Sequence, residues 1–217
     1  MLFEFLDLVH AGPDNLNAAP TERISVLVAD ANGTIRLEPM RWWLTPSWAK
    51  QPSTQYSMFN AKSETASTLP SFREPYKHRR CVVPVSGFYE WARRQGHKQA
   101  YFLRSAEHAG LLLAGLWDRW QGKDAAGQPQ HIDSFTILTT AASDSMQAVH
   151  HRQPVILNNE QAQNWLNPSV ATTELEDYFA PQLVTPITAL PVSSWVNNAR
   201  NKDPRCEQGL AEPILLR

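Results

Sequence analysis

Apolar positions along the chain fall mostly in short runs rich in β-branched and aromatic residues, the composition that fits a pleated, half-buried strand. Ile24–Asp30 (ISVLVAD) is the first such run. Asn32-Gly33 follows, and because both positions tolerate positive φ the pair predicts a tight hairpin. The return strand is Thr34–Leu44 (TIRLEPMRWWL), with an interruption expected at Pro39, which has no N–H for a ladder. Cys81–Val85, Gly87–Trp91, Gln99–Arg104, Leu111–Trp117 and Ser134–Thr140 are further strand segments. The polar tract Gln121–His131 (QGKDAAGQPQH) reads as an exposed loop.

Helical patterns are fewer: Ser63–Thr68, Ser71–His78, Asn159–Leu166 (NEQAQNWL) and Thr173–Phe179 (TELEDYF), the last acidic at its start as the helix dipole prefers. Strands outnumber helices and the two do not alternate regularly. The expected fold class is therefore α+β. It is a single domain over residues 1–217, with a mainly antiparallel, barrel-like β-sheet flanked by short helices.

Composition narrows the function. The chain has 217 residues, 42% of them hydrophobic and 8 of them Trp, enough for a sizeable core and against disorder as the main state. A formal charge of −1 excludes a globally basic nucleic-acid binder, so any nucleic-acid contact must use a local patch. No apolar run approaches the ~20 residues of a membrane span. The opening MLFEFLDLVHAG is short, carries Glu4 and Asp7, and lacks a basic leader, so a cytoplasmic protein with no membrane partner is expected. The two cysteines, Cys81 and Cys206, have no metal-like spacing and read as reduced thiols; neither a metal nor a cofactor is expected.

Three motifs offer chemistry. In FNAKSET (Phe59–Thr65), the Asn60 amide has donors and an acceptor to hold an oxygen-rich ligand, although from this motif alone a helix cap by Asn60 or Ser63 is the commoner role. In RRCVVPVSGFYEW (Arg79–Trp91), an extended backbone puts Phe88 and Glu90 on one face and Tyr89 and Trp91 on the other. A carboxylate buried there would serve as general acid and base; the plainer reading is a half-buried Glu paired with an Arg. In VHHRQPVIL (Val149–Leu157), His150 and His151 would point in opposite directions, so at most one faces a pocket; that one is a proton donor near neutral pH, or the pair is simply a surface feature. Arg73, Lys77, His78, Arg79 and Arg80 cluster beside Phe72 and Tyr76, as a phosphate footprint or as a solvated helix face. No GxSxG appears, and Cys81 lacks a motif partner, which argues against a serine or cysteine hydrolase.

Taken in order, NLNAAPTERISVL (Asn15–Leu27), WWLTPSWAK (Trp42–Lys50), FNAKSET, PSFREPYKHRRCVVPVSGFYEW (Pro70–Trp91), LLLAGLWDRW (Leu111–Trp120), FTILTTAAS, VHHRQPVIL and LPVSSWVNNARN (Leu190–Asn201) resemble the SRAP family of SOS-response-associated peptidases, also called abasic-site processing proteins. The resemblance implies a single α+β unit with a barrel-like sheet, working as a monomer on single-stranded DNA with abasic sites. In that family a cysteine next to the initiator methionine becomes the N-terminus. Its amine attacks the aldehyde of the opened abasic sugar, and its thiol closes a thiazolidine. The family is also described as protease-like, for its N-terminal self-processing, and some members carry out lyase-type reactions. By position, Asn60 would orient the N-terminal residue and the linkage, Glu90 would act as acid and base, and His150 would protonate the sugar ring oxygen. Lys62 stands where the family commonly has arginine, and would meet phosphate as a point charge. Pro46, Ser47 and Trp48 occupy a loop used near DNA, with Trp48 as a wedge. Arg73, Arg79, Arg80 and Arg152 complete the expected DNA-binding set.

The family begins Met-Cys-Gly-Arg, whereas this sequence begins Met1-Leu2-Phe3-Glu4. Two expectations follow: a native start lying upstream, or a divergent member that binds single-stranded or abasic DNA without covalent capture.

Overall fold

The computed structural model describes residues 15–94, 96–124 and 126–217. β1 (Arg23–Ala29) and β2 (Ile35–Trp42) form the expected hairpin, in register from Arg23↔Arg41 to Ala29↔Ile35. The Asp30 carboxylate accepts the N–H groups of Asn32 and Thr34, and Gly33 supplies the positive φ of 79°. Pro39 does not interrupt β2. The paired positions alternate between Asp30 N–Thr34 O and Trp42 N–Glu22 O, which leaves Pro39, opposite Ser25, at a site whose nitrogen points away from β1. Among the described residues no strand pairs with β2 on that other side until Arg41, so no ladder bond there is lost to the missing donor.

β4 (Arg80–Val85), β7 (Leu111–Lys123) and β8 (Pro129–Ala141) complete a ring. The order β7-β4-β1-β2-β8 closes because β8 pairs back onto β7, giving a five-stranded barrel. It is mixed rather than wholly antiparallel, since β2 runs parallel to β8 at Arg41↔Ser134 and Trp42↔Phe135. β3 (Asn60–Lys62) also lies parallel to β8, β9 (Arg152–Pro154) lies antiparallel to it, and β10 (Ile156–Leu157) adds to β7. A second, antiparallel sheet has the order β12-β11-β6-β5, from β5 (Phe88–Arg94), β6 (His97–Ser105), β11 (Ile187–Val192) and β12 (Ile214–Leu216).

The unbroken apolar run of β7 follows from burial on both faces. Leu111 and Leu113 pack with Val26, Val83 and Phe135, and on into the second sheet at Leu103 and Ile187. Leu112, Ala114 and Leu116 pack with Leu27, Val82, Leu138 and Trp165. Trp165 lies on α3 (Asn159–Leu166), which opens with a reciprocal cap between Asn158 and Gln161, and its indole N–H donates to the Cys81 carbonyl at 3.0 Å. α1 (Ser63–Ala66) is one turn, shorter than its pattern, and α2 spans Arg73–His78. Thr172–Phe179 winds as a 3-10 helix.

The tract 121–131 is not a loop. β7 and β8 pair out to Lys123↔Pro129, and the turn is confined to a few residues closed by Asp124 N donating to Gln128 O. Its polar residues are those of a hairpin arm exposed to solvent.

Gly115 sits where β7 crosses β4. A Cβ there would lie 2.8 Å from Cys81 Sγ and 2.9 Å from Thr136 O, so Gly115→Ala is expected to cost about 1–3 kcal/mol by overpacking. Urea unfolding checks this; a midpoint equal to that of the unchanged chain refutes it.

Candidate active site

β5 is the outer strand of its sheet among the described residues, and it presents Glu90 opposite Tyr101 of β6. Glu90 is not buried as its apolar neighbourhood suggested; its side chain is 26% exposed and opens to a cleft. Oε1 accepts the Trp91 backbone N–H at 3.0 Å. Oε2 lies 3.7 Å from Nδ1 of His150. Glu90 and His150, 60 residues apart by number, thus meet.

His150 follows the 3-10 turn Met146–Ala148, and its own N–H closes that turn on Met146 O at 3.0 Å. Nδ1 lies 3.1 Å from both the N–H and the carbonyl of Arg152. In the neutral ring Nδ1 accepts that N–H. In the imidazolium, Nδ1–H donates to the carbonyl or faces Glu90. Each charge state therefore has a partner on this side, and Nε2, without a hydrogen bond among the described residues, is left for a ligand. His151 does not point away, as strand alternation would require. The segment is a bend ahead of β9, so the two rings lie 4.3 Å apart and both line the cleft.

The cleft has a volume of about 490 Å³, in the range of small-ligand sites. Trp91, Arg93, Lys98 and Gln147 line it too, none of them singled out as cationic or polar site residues by sequence. The available signal was the basic hairpin ARRQGHK directly after Glu90.

Asn60 does not line this cleft. It opens β3, is exposed, and its side chain has no hydrogen bond among the described residues. Its link to His150 is indirect: Asn60 pairs with Ile137 of β8, and β9, which starts two residues after His150, pairs with the same strand at Thr139–Ala141. Lys62, exposed on β3, pairs with Thr139 of β8. Arg152 of β9 donates to Thr139 O at 2.6 Å and grips the Glu64 carboxylate with both terminal nitrogens. Those hydrogen bonds hold the Glu64 carboxyl below its ordinary value. Arg152 is thus a paired brace two residues from His150.

Pro46, Ser47 and Trp48 form a second feature, away from the lining of the cleft. The Asp118 carboxylate, 3% exposed, accepts the Ser47 N–H at 2.8 Å and lies 3.1 Å from Arg79 Nε. That contact is an ion pair whose N–H is not aimed for a hydrogen bond. Trp120 Nε1 donates to Ala49 O and Trp48 Nε1 to Pro70 O, so Pro46 is buried while Trp48 stands 65% exposed on an anchored loop. Arg73 is exposed, with Glu74 at 3.9 Å.

Arg80 is not a surface cation. It is 6% exposed, and it donates to the carbonyls of Trp165 and Asn167 at 2.6 Å each, capping the end of α3. Burial lowers its pKa. Cys81 is buried and burial pushes its thiol up; Cys206 is buried as well, its thiol also raised by desolvation. Residues 1–14, with the expected family start, lie outside the described residues.

A sequence model of the SOS response associated peptidase (SRAP) family matches residues 7–199. The chain belongs to the SRAP family. An abasic site processing protein, YoqW of Bacillus subtilis (strain 168), is 35% identical over 190 residues, covering 87% of this chain and 83% of the relative. The abasic site processing protein HMCES of Gallus gallus is 36% identical over 205 residues, covering 82% and 59%. Among crystal structures, a protein from Bacteroides thetaiotaomicron aligns with a TM-score of 0.75 at 25% identity, over 88% of this chain and 82% of that one. A protein from Bordetella bronchiseptica gives 0.74 at 26%, over 88% and 94%. This SRAP chain therefore shares its barrel with them.

Replacing Arg80 by Met strips the buried carbonyls at the end of α3 of their donors. A loss of about 2–4 kcal/mol is expected in urea unfolding. A loss below about 1 kcal/mol, the range of an exposed ion pair, would show that this cation is not a structural cap.

Proposed function

We propose that this SRAP chain processes abasic sites in single-stranded DNA, with Glu90 and His150 as its proton-transfer pair. The observation that carries the reading is the carboxylate and imidazole 3.7 Å apart at the mouth of a cleft, in a chain whose relatives are named abasic site processing proteins. An abasic sugar is a cyclic hemiacetal. To open it, the C1 hydroxyl loses its proton, the C1–O bond to the ring oxygen breaks, and the ring oxygen gains a proton. Glu90 takes the hydroxyl proton and hands it to Nδ1, while Nε2–H of His150 supplies the ring oxygen. One proton enters at Glu90 and one leaves at Nε2, so the pair's proton count is unchanged and the imidazole ends as its Nδ1–H tautomer, donating to the Arg152 carbonyl; a proton exchange with water at Nε2 and Nδ1 restores the starting tautomer. Trp48 supports the DNA reading as an anchored aromatic on which a base can stack, and Lys62 as an exposed cation beside it in the motif order.

Capture of the aldehyde is a separate question. A thiazolidine needs an amine and a thiol on adjacent carbons, and neither buried cysteine offers that. The same chain therefore supports a second reading, recognition of single-stranded or abasic DNA without a covalent product.

Incubation with an abasic single-stranded oligonucleotide, followed by denaturing electrophoresis, tests both. Processing gives a shifted or cleaved species, slowed about 10²–10³-fold by Glu90→Gln or His150→Phe. Non-covalent recognition gives a native-gel complex that Glu90→Gln barely alters and no denatured species. A chain restored to begin Met-Cys-Gly-Arg is the comparison. No complex at low salt and no product with either chain rejects both readings.

A further inference from the structure

The hairpin of β5 and β6 places Arg93 directly opposite Lys98. Like charges facing each other across an antiparallel pair destabilise it. Neither residue has a carboxylate partner among the described residues; Lys98 Nζ lies 5.3 Å over the Trp91 ring, and the Arg93 guanidinium has no ion pair or hydrogen bond. Both side chains are exposed, and both line the cleft of Glu90 and His150. Six other cations of the chain are already held by acids. Arg36, Arg79, Arg119, Arg152, Lys202 and Arg205 each lie within 3.1 Å of an acid. Glu90 is the single acid among the described residues lining the cleft, and it is occupied by His150 and the Trp91 N–H. Trp91 is itself fixed, its indole N–H donating to Asn197 Oδ1 at 2.7 Å.

We infer that Arg93 and Lys98 form a phosphodiester subsite, holding a backbone phosphate of the strand whose sugar sits at Glu90 and His150. An anion between them relieves their repulsion. The guanidinium can grip two phosphate oxygens at once while the ammonium adds a point charge. The inference rests on the DNA reading and sharpens it, because it sets the strand along the outer edge of β5 rather than across α2 and the start of β4, where Arg80 is buried.

The test is the salt dependence of binding. Affinity for an undamaged single-stranded oligodeoxynucleotide is measured by fluorescence anisotropy at several salt concentrations, for the unchanged chain, for Arg93→Gln/Lys98→Gln, and for the charge-preserving Arg93→Lys/Lys98→Arg. Each neutralised phosphate contributes about 0.7 to the slope of log affinity against log salt on single strands, so losing the one phosphate held between them should lower the slope by about 0.7 in the Gln pair. Affinity should fall on the order of tenfold at about 0.1 M salt. The charge-preserving pair should keep the slope, which separates a lost contact from a damaged fold. If the unchanged chain binds and the Gln pair matches its slope, the subsite is wrong while the DNA reading stands. If the unchanged chain does not bind, both fall.

Discussion

β8 changes partners part-way along its length, and the site hangs from that exchange. Its first part is bound to β7 and closes the barrel, with β2 alongside it at Ser134 and Phe135. Past Ile137 the β7 pairing ends and β9 takes that side, while β3 occupies the other. The strand that fixes the barrel therefore also fixes the motif of Asn60 and Lys62 and the motif of His150 and Arg152. Arg152 completes the join by reaching Thr139 O on β8 and the Glu64 carboxylate beside β3. A register slip of one residue in β8 would turn its side chains to the other face and break all of these connections together.

The proton transfer proposed for the pair draws on a mismatch between the two elements that meet. β5 is rigid, held to β6 through seven residue pairs from Phe88↔Leu103 to Arg94↔His97. His150 instead stands on a bend after a single 3-10 turn, braced through Arg152. The Arg152 peptide offers Nδ1 both a donor and an acceptor, so the ring keeps a partner when it gains or loses a proton. A proton shuttle needs that equivalence more than it needs either state to be strongly favoured.

Much of the fold was legible in the sequence. The hairpin at Asn32-Gly33, the strand cores from Cys81 to Thr140 and α3 with its polar cap all follow from local chemistry. The strands β3, β9 and β10 are two or three residues long, too short to carry a period, and exist because β7 and β8 offer them backbone partners. The polar arm of residues 121–131 misled for the opposite reason, since pairing rather than apolar content makes it a strand. In the site, the meeting of Glu90 with His150 could be suggested by the ordered family motifs but not by spacing, because Glu90 lies on a strand of the second sheet and His150 just before β9 of the first. His151 was read from strand alternation where the backbone bends. Arg80 was read by charge alone, and no local pattern announces that its guanidinium is committed to the carbonyls behind α3.

That last difference sets how charge bears on function in a chain with a formal charge of −1. A count of basic residues near a motif says little when most are already neutralised. Arg79 is spent on Asp118 and Arg152 on Glu64, so their long-range field is largely cancelled by partners within 3.1 Å. Their contribution is to hold loops in place: Arg79 with Asp118 under Ser47, Arg152 behind His150. Lys62 on β3 and Arg93 with Lys98 on the hairpin are among the cations without an ion pair among the described residues, and Arg93 and Lys98 line the candidate cleft. Which cations the fold leaves unpaired depends on tertiary contacts between elements far apart in sequence, and the path proposed for a bound strand follows from those contacts rather than from the count of basic residues.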